Sequence, residues 1–209
     1  MTVAGSAEQP ELNRAQERAC IARAKRGDKA ALRLLIDSHK DRLFHFVRRI
    51  VRDHHDAEEV CQDAFLKAFA SLSTFKAEYR FSTWLFTIAY RLSLNGMRRK
   101  RARTGDVDFM ALPDRGADVD EQVAQSEEAA YLKRMVWSAA DRLSPPQRAA
   151  VMLFYREQKS CVQIAEVLRL PVATVKSHLH RARSRLQEVL EPALARDSGR
   201  LRILTELAG

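Results

Sequence analysis

From Ala57 to Leu72 the apolar residues fall at positions 57, 60, 61, 64, 65, 68, 69 and 72. Spacings of i, i+3, i+4, i+7 and i+8 put them on one side of an α-helix that faces a core. The other side holds Glu58, Glu59, Gln62, Asp63, Leu66 and Lys67. A second helix is predicted downstream, with Trp84, Leu85, Ile88, Ala89 and Leu92 inward and Thr87, Tyr90, Arg91, Asn95, Arg98 and Arg99 on its other side. Near the far end, Val175, Leu179, Ala182 and Leu186 form another helical face. Alternating apolar and polar runs rich in Val, Ile and Thr are nearly absent, so the expected fold class is all-α.

One stretch breaks the helical period. Thr104 to Gln125 carries six acidic residues, from Asp106 to Glu121, together with Gly105, Pro113 and Gly116. It reads as a flexible acidic linker between two small helical domains. The predicted organisation is a disordered tail over 1–12, a first domain over 13–103, the linker over 104–125, a second domain over 126–192 and an extension over 193–209. The linker's acidity fits solubility alone; it also fits passage through a basic channel of a partner or masking of the chain's own basic surfaces.

Charge changes the picture next. The 209 residues carry 36 Lys and Arg against 27 Asp and Glu, a formal net charge of +9. A basic surplus calls for anionic partners. The hydrophobic fraction of 46% and charged fraction of 30% are those of a globular chain rather than a disordered one. Cysteines stand at 20, 61 and 161, an odd number with no C-x-x-C spacing, which argues against a disulfide scaffold or a zinc knuckle. No apolar run is long enough for a bilayer span, and Met1 to Pro10 lacks the order of an export signal. The expectation is a cytoplasmic protein without membrane insertion.

In the second domain, Ser144-Pro145-Pro146-Gln147 reads as N-cap, N1, N2 and N3 of a helix with a capping box. Ala150, Val151, Phe154 and Tyr155 make its predicted buried stripe. Cys161 to Leu168 is a short helix with Ile164, Ala165 and Leu168 inward. Arg169-Leu170-Pro171-Val172 is a tight turn, because Pro171 cannot continue the helix and restricts Leu170. A third helix runs from about Ala173 to Val189. Short helix, tight turn and longer helix make a helix-turn-helix. The outer faces of the third helix offer Thr174, Lys176, Ser177, His178, His180, Arg181, Arg183 and Arg185. Such groups reach phosphates and guanine edges in the major groove, so this domain is read as a DNA-binding unit.

In the first domain the acidic face of 57–72 would repel DNA. It is either a solvated helix face or a contact for a protein partner, with Leu66 as its apolar point. Ser71 to Phe81 reads as a polar connection holding Phe75, Tyr79 and Phe81, followed by the cationic face from Thr87 to Arg99. Rings beside cations suit single-stranded nucleic acid, since bases stack on rings while Arg and Lys follow phosphates. Phe75 and Tyr79 are the stacking candidates, and Trp84 is assigned to the core. Gly96 inside the predicted helix costs about 1 kcal/mol relative to Ala, so a frayed or bent end is expected there.

With these residues assembled, positions 15–192 resemble bacterial RNA polymerase sigma factors of the extracytoplasmic-function (ECF) group of the sigma-70 superfamily. Asp56-Ala57-Glu58-Glu59-Val60-Cys61-Gln62-Asp63-Ala64-Phe65 resembles the region 2.2 signature D-A-E-D-x-x-Q-E-x-F. The resemblance implies that Asp56, Glu58, Glu59, Gln62, Asp63 and Leu66 bind core RNA polymerase. Phe81-Ser82-Thr83-Trp84-Leu85-Phe86-Thr87-Ile88-Ala89 is similar to the F-x-T-W-L-x-x-I-A block of regions 2.3 and 2.4. It implies that Phe75, Tyr79, Phe81, Thr87, Tyr90, Arg91, Asn95, Arg98 and Arg99 melt and read the minus-ten promoter element. Ile164 to Leu168 with Thr174 to Arg183 is similar to region 4, which reads the minus-thirty-five element. Ala173, Gln163 and Asn95-Gly96-Met97 depart from the usual Gly, Glu and Asp-x-Leu, which bears on promoter preference. The resemblance further implies an anti-sigma partner, no cofactor and no catalysis by the chain itself.

Three other readings fit the residues less well. A metal hydrolase built on His54-His55 is disfavoured because adjacent helical histidines diverge, and Asp53 to Asp56 reads better as a turn with Asp56 as N-cap. A plain helix-turn-helix regulator leaves the acidic helix and aromatic connection without a role. A sequestering adaptor has no use for the basic helix. Buried thiols at Cys61 and Cys161 are expected to be inert. Leu201, Ile203, Leu204 and Leu207 suit a short amphipathic helix that packs on the second domain or binds a regulator.

Overall fold

The computed structural model describes residues 12–76, 79–104, 136, 139–140 and 142–195. All regular elements among them are helical, so the all-α expectation holds. The chain divides into two compact units, Met1–Thr104 and Gly105–Gly209. The tail before Leu12, the acidic stretch after Thr104 and the apolar positions Leu201 to Leu207 lie outside the described residues.

The first unit comprises α1 (Arg14–Lys25), α2 (Lys29–Asp37), α3 (Lys40–Val51), α4 (His54–Ala70), a 3-10 turn (Leu72–Thr74) and α5 (Phe81–Thr104). Local chemistry sets most of the boundaries. Asn13 caps α1, its side chain accepting from Ala15 N and Gln16 N while Gln16 Oε1 accepts from Asn13 N at 3.0 Å. Gly27, at φ +87°, supplies the left-handed residue of the turn into α2. Asp28 then caps α2; its carboxyl is held below its ordinary range by the Ala31 N–H first and the Arg23 guanidinium second. Arg52, at φ 61°, terminates α3 in the left-handed conformation.

The N-cap of α4 is Asp53 rather than the expected Asp56. The Asp53 carboxylate accepts from Asp56 N at 2.9 Å, which places Asp56 at the third helical position. Ala57, Ala64 and Ala68 of α4 are fully buried, and these small side chains let its backbone approach the neighbouring helices α3 and α5 closely. Phe46 of α3 and Phe86 of α5, both fully buried, pack on each other with ring centroids 4.9 Å apart. Gly96 neither ends nor interrupts α5, which continues to Thr104.

In the second unit, α6 (Pro145–Val151) begins at the predicted Ser144–Gln147 capping box. It passes into a π-helical turn over Met152–Arg156, in which Glu157 N donates to Met152 O at 3.1 Å. The expected stripe is corrected accordingly. The extra residue in that turn moves Phe154 and Tyr155 to half-buried positions, while Ala149 to Leu153 are all buried. Arg148 is buried as well, its guanidinium donating to Ala140 O at 3.3 Å and Leu143 O at 2.8 Å. Next come α7 (Cys161–Leu168) and α8 (Val172–Ala195), the latter longer than expected at its C-terminal end. Of the positions expected to face inward on α7, Ile164 and Leu168 are buried and Ala165 is half-buried.

Candidate nucleic-acid and partner interfaces

On α4 the stripe that faces the core leaves Glu58, Glu59, Gln62 and Leu66 exposed and Asp63 half-buried. Leu66, 67% exposed, is the largest apolar departure on this acidic face. Two of the acidic residues have partners within the chain. Lys100 Nζ of α5 donates to Asp56 Oδ2 at 2.8 Å, and this contact raises the Lys100 pKa above its ordinary value. Glu58 faces His54 Nε2 at 3.4 Å and His55 Nδ1 at 3.9 Å. Both adjacent histidines thus meet one carboxylate, and no group of three or more metal-ligating side chains occurs among the described residues. Cys61 lies on the buried side of α4 itself, its thiol pushed up to about 12 by burial.

The aromatic connection is built differently from the open loop expected. Phe75, 5% exposed, closes the 3-10 turn with its ring 5.0 Å from Trp84 and 5.9 Å from Phe81. Phe81 is fully buried as the first residue of α5. Tyr90, placed on the outer side of α5 by its periodicity, is 4% exposed, and burial pushes its phenol up to about 12. The apolar side of α5 is wider than its sequence stripe because α5 is covered by both α3 and α4. Tyr79, 53% exposed, is the ring left open to solvent on this connection.

From Tyr79 the surface continues along α5. Thr87 and Arg91 are half-buried and Asn95, Arg98 and Arg99 exposed. Thr87 donates its hydroxyl to Thr83 O at 2.8 Å. Thr87 to Arg98 spans about 16 Å at the rise of an α-helix. Sequence reasoning missed Lys25, at the end of α1, which donates to Phe75 O at 2.8 Å and Ser73 O at 3.4 Å. Its partners are 48 and 50 residues away, and no local pattern signals such a pairing.

In the second unit α7, the turn and α8 form the helix-turn-helix. Ser160 caps α7, accepting from Gln163 N at 3.3 Å while Gln163 Oε1 accepts from Ser160 N at 3.0 Å. Gln163, a departure from the family's usual Glu, thereby completes a capping box. Arg169 adopts φ 54° and Leu170 N donates to Ala165 O at 3.1 Å, which closes the turn before Pro171. Val175, Leu179 and Ala182 are buried.

On the outer faces of α8, Lys176, His180, Arg181, Arg183 and Arg185 are exposed, while Thr174, Ser177 and His178 are half-buried. Some have local work. Arg181 Nη2 donates to Ser177 Oγ at 2.8 Å. Arg183 Nε donates to Tyr155 Oη at 2.9 Å, with its guanidinium carbon 6.0 Å from the centroid of Phe154. Burial first, and the neighbouring Arg181 second, lower the His178 pKa below its ordinary value. His178 is therefore neutral at pH 7 and not one of the cations of this surface.

Comparison with known proteins gives these surfaces a common context. The model of Sigma-70 region 2 matches residues 35–103, and that of Sigma-70 region 4 matches residues 133–186. The RNA polymerase sigma-H factor of Pseudomonas aeruginosa is 31% identical over 189 residues, covering 88% of this chain and 98% of that protein. The ECF RNA polymerase sigma factor SigW of Bacillus subtilis is 27% identical, covering 81% and 94%. Among solved structures, the sigma factor RpoE in complex with the anti-sigma factor NepR from Bartonella quintana aligns with a TM-score of 0.60 at 28% identity, over 71% of this chain and 89% of that one. CnrH in complex with the cytosolic domain of CnrY shares the fold at the same TM-score and 24% identity, over 84% and 97%. With both region models matched in order and near-complete coverage of its relatives, the chain belongs to the ECF group of sigma-70 family sigma factors.

Proposed function

We propose that this sigma factor, a non-catalytic subunit, binds core RNA polymerase through the acidic face of α4, melts promoter DNA with the Tyr79–α5 surface and reads an upstream duplex element with α8. The carrying observation is the division of charge within the first unit. One helix exposes Glu58, Glu59 and Leu66, and another exposes Asn95, Arg98 and Arg99 beyond an open tyrosine. An acidic face with an apolar point suits a basic protein surface, whereas an aromatic ring followed by guanidinium groups suits a stripped nucleic-acid strand.

Within this reading, region 2 occupies 13–103 and region 4 occupies 126–192, with 104–125 as the tether. Stacking on Tyr79 offsets part of the few kcal/mol needed to unstack a base, and the arginines from Arg98 to Arg103 add salt-sensitive phosphate contacts. Phe75, Phe81 and Tyr90 support the reading from beneath the surface. The complex of RpoE with the anti-sigma factor NepR supports regulation of this chain by an anti-sigma factor. The site of action is the cytoplasm; no described helix is long and apolar enough to cross a membrane.

Run-off transcription from pooled genomic fragments by purified core polymerase, with and without this chain, tests the proposal. Defined new transcripts establish promoter direction and yield the promoter sequence. No transcripts together with no binding to core polymerase overturn it.

A further inference from the structure

The α1 helix precedes the stretch matched by the region 2 model, yet it reaches the connection that carries Tyr79 from two sides. At its C-terminal end Lys25 Nζ donates to the carbonyl oxygens of Phe75 and Ser73. Earlier in the helix, buried Glu17 places Oε1 3.4 Å from Nε2 of buried His39, whose ring lies 5.4 Å from that of Phe81. The Phe75 ring is held against Phe81 and Trp84. The backbone at Phe75 is therefore fixed by a ring cluster on its side-chain side and by an ammonium on its carbonyl side. One residue further on, the carbonyl of Lys76 accepts from Tyr79 N at 3.2 Å.

We infer that Lys25 is a positioning residue for strand capture: by holding the carbonyls of Ser73 and Phe75 it fixes the backbone from which Tyr79 is presented to a single-stranded base. The inference rests on the proposed role of Tyr79 as the stacking ring. A tyrosine that stacks well must stand in one orientation before the base arrives, because ordering it during binding costs affinity. An ammonium is suited to the task, since its three donors serve two carbonyls at once and its hydrogen bonds are charge-assisted. Both hydrogen bonds of Lys25 go to the backbone of the connection, so its effect is read in capture of the strand.

The test uses holoenzyme assembled from core polymerase and the full chain, with a fluorescent single-stranded oligonucleotide carrying the minus-ten sequence mapped by run-off transcription. Affinity is measured for wild type, Lys25→Met, Lys25→Arg, Tyr79→Ala and the double variant Lys25→Met/Tyr79→Ala, each across a salt series. The expected result is a roughly three- to tenfold loss for Lys25→Met, with most of it restored by Lys25→Arg, and an unchanged salt slope. Affinity for core polymerase stays at the wild-type value, and the double variant binds no worse than Tyr79→Ala alone, since both act through one ring. Wild-type affinity in Lys25→Met beside a weakened Tyr79→Ala overturns the inference and leaves the role of Tyr79 standing. A salt slope shallower by about one in Lys25→Met marks a direct phosphate contact and also overturns it. Wild-type affinity in Tyr79→Ala overturns the stacking role itself and the inference with it.

Discussion

Lys100 Nζ and Asp56 Oδ2 lie 2.8 Å apart, joining the basic end of α5 to the first turn of the acidic helix α4. One cation of the run from Arg98 to Arg103 and one carboxylate of the region 2.2 signature thus share a contact. Their side chains are 43% and 39% exposed, so solvent screening limits the pair to about 0.2–1 kcal/mol of stability. Its larger effect is on orientation, because it fixes where the acidic face begins relative to α5.

The acidic face is tested by charge reversal. Glu59→Lys with Asp63→Lys weakens binding to core polymerase by roughly tenfold or more and leaves duplex DNA binding by the helix-turn-helix unaffected. Leu66→Ala lowers core affinity by about 1 kcal/mol or more without loss of fold, since Leu66 is exposed. Titration of labelled core polymerase reads both; unchanged affinities place the polymerase contact elsewhere.

Phe75 and Tyr79 separate support from contact. Phe75→Ala opens the ring cluster and destabilises the first unit by about 3–5 kcal/mol. Tyr79→Ala changes stability by no more than about 0.5 kcal/mol and costs about 1–3 kcal/mol in affinity for a single strand. Chemical denaturation and oligonucleotide binding distinguish the two, and similar behaviour of both variants contradicts the burial difference.

On α8, Lys176 and Arg183 differ in the same way. Lys176→Ala lowers duplex affinity and the salt slope by about one unit, with stability unchanged. Arg183→Ala additionally costs the second unit about 1 kcal/mol, because it removes the hydrogen bond to Tyr155 Oη. Affinity against salt, measured beside thermal unfolding, checks this pair.

Asp53 gives a pH signature. The Asp56 N–H, as the largest cause, holds its carboxyl below the ordinary value of 3.8. The unfolded chain then binds the proton more readily, so the stabilisation is complete above pH 3.8 and is lost as pH falls through the folded pKa. Asp53→Ala is therefore expected to cost about 1 kcal/mol at pH 7 and progressively less in acid below pH 3.8. Denaturation curves across that range test the sign.

Gly96 is a place where stability can be added. Nothing lies within 4 Å of a Cβ built there, and its φ is not in the left-handed region. Gly96→Ala is expected to stabilise α5 by about 1 kcal/mol. Thermal unfolding that shows no gain shows strain unseen in this geometry.

The parts of the fold and site that the sequence made legible are those governed by neighbours within about one helical turn. The α4 stripe, the Ser144 cap and the turn at Pro171 follow from periodicity and short-range hydrogen bonding. Asp53 and Asp56 both carry cap chemistry, and only the hydrogen bond between them decides which one ends the turn. Phe75 sits among polar residues, so its composition reads as open; the rings that cover it come from the next helix. Arg148 is buried although charged because its acceptors are backbone carbonyls, which composition does not reveal. Tyr90 falls on the outer side by period yet is buried, because the period of a single helix cannot say how many neighbours cover it.

The alanines along the inner side of α4 have a consequence for change over generations. With Ala57, Ala64 and Ala68 against the core, most of the bulk and charge of the helix projects outward. Substitutions at Glu58, Glu59, Gln62 or Leu66 leave the alanine seam itself untouched. A lineage can therefore change the outer face of α4 one surface residue at a time, without first repairing the interior. The seam, in turn, admits almost no drift, since even one added methyl group forces α4 away from its neighbours.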